Sequence, residues 1–201
     1  STQLQAQQDT TQLEEAVITA SKYERKQAET GKVLTIISRR ELERNSGRTL
    51  AEILNTTAGV NIVGANNNAG TNLSTSIRGS AAGNVLILID GIPVNDPSVI
   101  TNYYDLNFLV ADQAERIEIL KGGQSTLYGS DAVAGVINVI TRRSTKNGMA
   151  VNGSFTGGSF NTLKQHIGLN GRNKMSTYGI NYTHTSADGF SAAHDSSGSG
   201  T

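Results

Sequence analysis

The segment Glu115–Thr141 constrains the fold of this chain most strongly, because two apolar, β-branched stretches flank a long turn rich in glycine and serine. Ile117 and Ile119 precede the turn, residues of these types favour strands, and the turn is followed by Val136, Ile137, Val139 and Ile140. The glycines in the turn permit backbone angles that other residues avoid. The pattern predicts a strand, an elaborate loop and a second strand.

Helix signals precede this segment. Ser38 and Thr49 each stand three residues before a glutamate, which is the spacing of a capping box at a helix start. We therefore predict short helices at about 39–45 and 50–55, and Gly59 is suited to end the second helix.

Strand signals occur before and after these helices. Asp90-Gly91 is a tight-turn signal at the end of an apolar run. Up to Thr141 the pattern indicates a small α+β unit with short helices and a mixed sheet. The predicted strands lie at 33–37, 60–63, 75–77 and 85–89.

The sequence changes character between Met149 and Thr185, where apolar and polar residues alternate in three stretches. Each stretch has about nine to eleven residues, the length that a tilted strand needs to cross a bilayer, and such alternation is typical of a transmembrane barrel. A soluble β-meander would show the same alternation. The alternation by itself leaves both interpretations open.

Three motifs together resemble the plug domain of TonB-dependent outer-membrane transporters. They are IRG at Ile77–Gly79, VLILIDGIPVND at Val85–Asp96 and the segment Glu115–Thr141, in the order and approximate spacing of that family. The resemblance covers roughly residues 14–189. It implies an α+β plug domain followed by the first strands of a transmembrane antiparallel β-barrel in the bacterial outer membrane. The chain would then be a fragment, since an open barrel edge leaves backbone groups unsatisfied in lipid.

The resemblance divides the chain into three parts. Residues 1–31 are polar with one apolar island, and we expect a flexible segment in the periplasm. Residues 32–141 would form the plug inside the barrel. Residues 142–201 would form the first three barrel strands and the start of an extracellular loop.

The apolar island in the N-terminal segment is a candidate contact for another protein, because a short β-prone run can pair with the edge of a partner's sheet. It lies where the family has its Ton box, so the resemblance implies binding to the periplasmic domain of TonB. The alternative is an ordinary edge strand packed against the plug. The residues are Glu15, Ala16, Val17, Ile18, Thr19 and Ala20.

Two loops, at 64–72 and 95–105, are candidates for substrate contact. Asparagine amides both donate and accept hydrogen bonds, and tyrosine offers an apolar face with a polar tip. Ordinary solvent-exposed turns have the same composition, so both interpretations stay open for any single residue. The candidates are Asn66, Asn67, Asn68, Asn95, Tyr103 and Tyr104.

Arg78 and Arg116 stand at positions where a charge buried alone would be costly. In similar transporters the arginines of the IRG and ERIE motifs meet glutamates of the barrel. The resemblance therefore implies that Arg78 and Arg116 lock the plug in the barrel, through glutamates beyond residue 201. Exposed arginines at strand ends are the alternative.

Composition and motif spacing argue against other classes of protein. The 17 basic and 17 acidic residues balance, so no global field attracts nucleic acid, and the absence of cysteine excludes thiol catalysis and zinc fingers. The glycine-rich turn has neither a P-loop ending nor a nucleophile elbow. We therefore expect neither an enzyme nor a cofactor. Asp188 and Asp195 are only weak calcium candidates, because calcium needs more oxygen ligands, and no other metal site is expected.

The sequence thus predicts TonB-dependent active transport of a scarce nutrient across the outer membrane, with the plug as a gated stopper. The stretches NVLILIDGIPVN, LYGSDAVAGVINVIT and NYTHTSADGFSAA are most similar to the cobalamin transporter subfamily. A ferric-siderophore receptor shares most of the plug motifs and is the alternative within the family. A soluble α+β binding module is the alternative from another class. TonB, the small-molecule substrate and outer-membrane lipids are the expected partners, and the sequence is silent on a surface lipoprotein.

Overall fold

The computed structural model describes most of the chain from Val33 onward and the backbone of two short strands before it. In the described part no helix is long and apolar enough to cross a membrane. The described residues are 17–18, 25–26, 33–67, 71–99, 101–143 and 147–188.

Short helices and short strands make up the first two thirds of the described chain, and three long strands follow. The helices are α1 (Arg39–Arg44), α2 (Leu50–Asn55) and α3 (Ser125–Tyr128). The strands are β1 (Val17–Ile18), β2 (Arg25–Lys26), β3 (Val33–Ile37), β4 (Val60–Val63), β5 (Ser74–Ile77), β6 (Val85–Ile89), β7 (Ile92–Pro93), β8 (Ala114–Lys121), β9 (Gly135–Thr141), β10 (Gly148–Gly158), β11 (Thr162–Asn173) and β12 (Ser176–Ser186).

Strands β3, β6, β7, β8 and β9 form a mixed sheet in the order β3-β8-β9-β6-β7. β6 and β9 pair in parallel, and the other neighbours in this sheet pair antiparallel. The predicted strand, loop and strand between Glu115 and Thr141 is thus confirmed as β8, a loop containing α3, and β9. β9 begins at Gly135. No other residue fits this position, because a Cβ atom there would lie 2.4 Å from the carbonyl oxygen of Leu120.

This sheet is covered on both faces. Val85 and Ile87 of β6 join a large core cluster with α2, β4 and β5, whereas Leu86 and Leu88 join a smaller cluster. The loop between β8 and β9 completes the smaller cluster with Ala132. Burial on both faces explains why β6 is a continuous apolar run without alternation.

The two predicted capping boxes have different outcomes. At α2 the box is confirmed: the Glu52 amide donates to the Thr49 hydroxyl at 3.1 Å, and the Thr49 amide donates to the Glu52 carboxylate at 2.9 Å. At α1 the prediction is wrong, because the exposed Ser38 side chain makes no capping hydrogen bond. The Ser38 carbonyl instead accepts from the amides of Glu41 and Leu42.

The prediction that Gly59 ends α2 is also wrong. The helix ends at Asn55, and the Thr56 hydroxyl donates to the carbonyl oxygen of Ile53 at 2.7 Å. Gly59 lies in the turn that leads into β4, with a φ of +77°. Its conformational freedom is therefore used to turn the chain from the helix into the strand.

The predicted turn at Asp90-Gly91 is confirmed, with φ values of +51° and +83° that fit a tight hairpin turn. The Asp90 carboxylate accepts hydrogen bonds from the Thr141 amide at 2.9 Å and from the Thr141 hydroxyl at 2.6 Å. Arg143 lies 3.1 Å from the same carboxylate. The turn between β6 and β7 is therefore fixed to the end of β9.

Strands β10, β11 and β12 form a separate antiparallel sheet of three strands. They have 11, 12 and 11 residues, close to the predicted lengths. The predicted alternation is confirmed: Val151, Phe155 and Ile180 on one face are 69–73% exposed, whereas His166 on the other face is buried.

Candidate functional site

The two loops chosen as substrate candidates lie side by side. The Asn72 amide donates to the Tyr103 hydroxyl at 3.3 Å, and the Asn107 amide donates to the Thr71 carbonyl at 2.7 Å. We call the described residues of these loops, 64–67, 71–72, 95–99 and 101–105, the loop pair. The contacts join segments that are more than thirty residues apart in the sequence.

Asp105 joins the two loops more firmly than any residue that the sequence singled out. Its carboxylate oxygen Oδ1 accepts from the Leu73 amide at 3.2 Å and from the Asn107 amide at 3.0 Å. The second of these bonds caps the 3-10 turn Leu106–Phe108. An aspartate before a short turn is a capping signal in the sequence, but its bond to Leu73 has no sequence signal.

Asn95 is held inside the plug and does not present a free amide to a substrate. Its oxygen accepts from the Ile87 amide at 2.8 Å, and its nitrogen donates to the carbonyls of Val85 at 3.1 Å and Asn102 at 2.8 Å. These bonds shape the loop after β7. Both polar ends of the amide are already bonded to backbone, and the contact of Asn95 with substrate remains a prediction.

The other asparagine candidates are placed differently. Asn66 and Asn67 are exposed at the tip of their loop, and the Asn67 amide donates to the Gly64 carbonyl at 3.0 Å. Gly64 has a φ of +93° and a Cβ atom there would lie 2.9 Å from the Asn72 carbonyl, so only glycine fits this turn. Asn68 lies outside the described residues.

The two candidate tyrosines are both half-buried but have different contacts. Tyr103 contributes its hydroxyl at the junction of the loop pair. Tyr104 packs on the core and meets Phe108 edge to face, with ring centroids 6.2 Å apart. Burial, reinforced by the negative charge of Asp105, raises the pKa of Tyr104. Phe108 itself is 75% exposed, and it is an aromatic group beside the loop pair that the sequence analysis missed.

A cavity of about 510 Å³ lies beneath the second loop. Asp96 stands near its rim, where hydrogen bonds from the Ser98 hydroxyl at 2.6 Å and amide at 2.8 Å lower the pKa of its carboxyl group. A fixed negative charge therefore stands beside an open depression. The cavity is lined by Leu86, Pro93, Asn95, Pro97, Ser98, Val99, Asn102 and Asp131.

The two arginines predicted to lock the plug have different surroundings. Arg78 follows directly after β5 and is exposed, with a φ of +53°. Arg116 lies on β8, and its guanidinium is 2.8 Å from the carboxylate of Glu118, which is fully buried. Arg116 therefore has a carboxylate partner within the plug itself. The locking role remains a prediction for both residues.

The predicted Ton box is described only at Val17 and Ile18. These two residues pair antiparallel with Lys26 and Arg25, respectively. In the described backbone β1 and β2 form a two-stranded pair that is separate from the sheet containing β3. Glu15, Ala16, Thr19 and Ala20 lie outside the described residues, and the binding of TonB is a prediction that the fold does not test.

No cluster of three or more His, Asp or Glu side chains suited to a metal occurs among the described residues. Asp188 is exposed, and its amide donates to the Phe160 carbonyl at 3.0 Å. Asp195, the second weak calcium candidate, lies outside the described part of the chain. His166 is bonded to Asn152 at 3.3 Å and to Thr183 at 3.1 Å, so it belongs to a polar network on the inner face of β10–β12.

The sheet of β10–β12 turns this polar side toward residues of the preceding part of the chain. The Ser154 hydroxyl of β10 donates a hydrogen bond to Oδ2 of Asp112. A cavity of about 530 Å³ lies between this sheet and the preceding part of the chain. Arg48 and Asp112 line one side of it, and Lys164 and His166 line the other. The contact by Asp112 was not foreseen from the sequence.

A family model described as TonB-dependent Receptor Plug Domain matches residues 26–136. The chain belongs to this family. It is 36% identical over 139 residues to the vitamin B12 transporter BtuB of Vibrio cholerae, and 37% identical over 128 residues to that of Vibrio vulnificus. These alignments cover 69% and 64% of this chain, but only 22% and 20% of the two relatives.

Solved structures give the same family. The ferric enterobactin receptor PfeA of Pseudomonas aeruginosa, a mutant in complex with enterobactin, superposes with a TM-score of 0.58 and 28% identity, covering 78% of this chain and 25% of the receptor. The siderophore receptor PirA of the same species gives a TM-score of 0.57 and 28% identity, covering 77% of this chain and 27% of that receptor. The described fold is therefore only a part of a TonB-dependent receptor.

Family membership confirms the predicted fold class, which is an α+β plug domain followed by the first strands of an antiparallel barrel. We therefore call β10–β12 the barrel strands and residues 33–141 the plug. The family consists of outer-membrane receptors and transporters rather than enzymes. The exposed apolar face of the barrel strands fits a lipid surface, whereas a soluble meander would leave it in water.

Proposed function

We propose that this chain is the plug and the first barrel strands of a transporter that moves a scarce nutrient across the bacterial outer membrane with energy delivered by TonB. The match of the plug family model over residues 26–136 carries this proposal. In it, residues 1–31 carry the Ton box, residues 32–141 form the stopper, and residues 142–201 begin the barrel. Outer-membrane lipids would cover the apolar face of the barrel strands.

The topology of the plug offers a route for force from TonB. The N-terminal segment enters the sheet at β3, an edge strand that pairs on one side with β8. A pull on this segment would act first on β3. The residues Val33–Ile37 of this strand form five residue pairs with β8. An edge strand has fewer hydrogen-bonded neighbours to lose than a central one, so β3 is suited to be the first element to detach.

Deletion of the Ton box tests the role of TonB. Removing residues 15–20 from the intact receptor should abolish uptake and leave substrate binding at the cell surface unchanged, because the loop pair lies elsewhere. Deleting residues 7–12, which are polar and equal in number, is the control and should leave uptake intact. Retained uptake after the first deletion would refute the assignment.

We propose cobalamin as the substrate, because the chain is 36% identical to a vitamin B12 transporter over 139 residues. A ferric siderophore is the second candidate, and the likeness to the enterobactin receptor favours it. Uptake of labelled cobalamin and of a labelled ferric siderophore should be compared in a strain that lacks its own receptors for both. Uptake of the siderophore alone would reverse the order of the candidates.

The substrate would contact the loop pair from the extracellular side. We propose Asn66, Asn67, Asn68, Tyr103 and Tyr104 as contacts, and the exposed Phe108 beside them as a further apolar surface. Substituting Asn66 and Asn67 together by alanine should weaken surface binding. The same double change at Asn173 and Ser176, which lie at the turn between β11 and β12, is the control that should not weaken it.

Arg78 is the better placed of the two proposed locking residues, because it is exposed and follows directly after β5. An acidic residue from the rest of the barrel would be its partner. Arg78→Gln should then loosen the plug and admit large antibiotics into cells, whereas Arg78→Lys should restore part of the seal. Equal permeability of the two variants and the wild type would contradict a locking role.

A further inference from the structure

One corner of the plug adjoins the barrel strands and is held there from several directions. We define the corner as residues 111–114 and 141–142. We propose that this corner stays attached to the barrel strands during transport, with Asp112 as the positioning residue, while the rest of the plug remodels. The proposal rests on the proposed transport function. It identifies the part of the plug that stays in place while the rest of the plug moves.

The first hold on the corner comes from the barrel strands. The hydroxyl of Ser154, on the inner face of β10, donates to the carboxylate of Asp112. A hydrogen bond to an ionised acceptor is roughly twice as strong as one between neutral groups. This bond joins residues 42 positions apart, and it links the plug directly to the strand that follows it in the chain.

The second hold comes from within the plug. The guanidinium of Arg39 on α1 donates to the carbonyl of Asp112 at 3.3 Å and to the carbonyl of Ala114 at 2.9 Å. The same side chain forms an ion pair with Glu43 at 2.8 Å. The backbone on both sides of residue 113 is therefore bonded to α1, which fixes the position from which the Asp112 side chain reaches Ser154.

The third hold comes from the segment that leads into the barrel. The Arg142 amide donates to the Gln113 carbonyl at 2.8 Å, and Ala114 pairs with Thr141 at the end of β9. Gly148 begins β10 only a few residues later. The short connection keeps Ser154 close to Asp112, so a broken contact would re-form at high effective concentration.

The pull from TonB would reach the plug far from this corner. The N-terminal segment joins the sheet at Val33, which pairs with Lys121 at one end of β8, whereas Ala114 lies at the other end. With about 3.4 Å per residue, the two ends of this strand are roughly 24 Å apart. A pull on the N-terminal segment would therefore load the pair between Val33 and Lys121 before it reaches the contacts of the corner.

The corner also sets the position of the loop pair. Asp105 joins both loops and is followed by residues 106–110, which lead directly to the corner. Leu106 in this connection is buried in the large core cluster. A fixed corner would hold the binding loops at one place relative to the barrel.

A disulfide between the plug and β10 tests the proposal in the intact receptor. The described chain has no cysteine, so Asp112→Cys with Ser154→Cys introduces a single close pair here. Oxidation should form the disulfide readily, measured by the loss of maleimide-reactive thiols. The matched control pairs Asp112→Cys with Phe155→Cys, since Phe155 points to the opposite face and should not cross-link.

Uptake before and after oxidation then decides the outcome. A fixed corner predicts that the cross-linked receptor transports substrate at the rate of its reduced form. Loss of uptake on oxidation, with recovery after reduction, would overturn the proposal, and so would failure of the Asp112–Ser154 pair to cross-link. A wild-type receptor that takes up neither cobalamin nor a ferric siderophore would instead count against the proposed function, and the cross-linking yield would still report on the contact.

Discussion

The plug sheet and the barrel strands use apolar side chains in opposite ways. In the plug, Ile117, Ile119 and Ile137 are fully buried by other parts of the same chain. In the barrel strands, Val151 and Ile180 point outward and are about 70% exposed. The plug therefore closes its own core, whereas the barrel strands need a surface that the described chain does not supply. Residue composition alone does not produce this difference, because both regions are rich in β-branched residues.

We expect the largest effect when a buried side chain is removed from the plug, because this lowers the stability of its core. Ile137→Ala should lower the free energy of unfolding of the plug by about 2–5 kcal/mol, since it removes methyl groups and leaves a cavity. The measurement is denaturant unfolding of residues 32–141. Ile92→Ala is the matched control, because Ile92 is 67% exposed on β7 and should change stability by about 0.5 kcal/mol or less.

The same experiment can contradict the comparison itself. A plug of residues 32–141 that unfolds gradually, without a cooperative transition, would mean that its core is not closed by the plug alone. Similar destabilisation by Ile92→Ala and Ile137→Ala would lead to the same conclusion. Either result would make the plug depend on the barrel for its stability.

A charge on the outer face of the barrel strands should have the next largest effect. Ile180→Arg places a guanidinium where lipid is expected, at a cost of about 2–4 kcal/mol near the bilayer midplane. Thr177→Arg, on the inner face of the same strand, is the control and should be tolerated. Folding of the intact receptor into lipid vesicles, followed by heat-modified mobility on gels, measures both. Equal folding of the two variants would argue against a lipid-facing surface.

The regular parts of this fold could be predicted from the sequence, because they depend on local residue patterns. The limits of β4 and β6 and the turn at Asp90-Gly91 follow from apolar runs and from one turn signal. The two capping boxes show where local patterns fail. Thr49 and Ser38 have the same spacing to a glutamate, but only Thr49 forms the box.

The candidate site was less predictable because its contacts join distant parts of the chain. Asn95 is a residue type that often binds ligands in loops, but its side-chain amide is bonded to strand β6 and to its own loop. Asp105 and Asp112 were missed because their partners, Leu73 and Ser154, lie 32 and 42 residues away. Such contacts depend on how the elements pack, and no spacing in the sequence records them.

The two helix starts offer a smaller test within the plug. Thr49→Ala removes the hydroxyl that accepts from the Glu52 amide, and it should cost about 1 kcal/mol of the free energy of unfolding. Ser38→Ala should have almost no effect, because Ser38 makes no capping bond through its side chain. Denaturant unfolding of residues 32–141 measures both. A loss of stability for Ser38→Ala equal to that for Thr49→Ala would refute the distinction.

Acidification should give the smallest effect, at the turn that fixes β6 to β9. Partial burial disfavours the charge of Asp90, but hydrogen bonds from Thr141 and the guanidinium of Arg143 outweigh it and lower the pKa of this carboxyl group. A carboxyl group with a lowered pKa in the folded state contributes stability above its unfolded pKa, near 3.8, and loses it as the pH falls through the folded value.

The stability difference between wild type and Asp90→Asn should therefore be constant from pH 7 to about pH 5 and should shrink below about pH 4. Unfolding of residues 32–141 by denaturant at several pH values measures this difference. Asp131→Asn, which changes an acidic residue outside the Asp90–Thr141 contact, is the control for general effects of charge. A difference that stays constant down to pH 3 would mean that the hydrogen bonds from Thr141 do not depend on the charge of Asp90. The link between the turn and β9 would then rest on hydrogen bonds that do not need a charged acceptor.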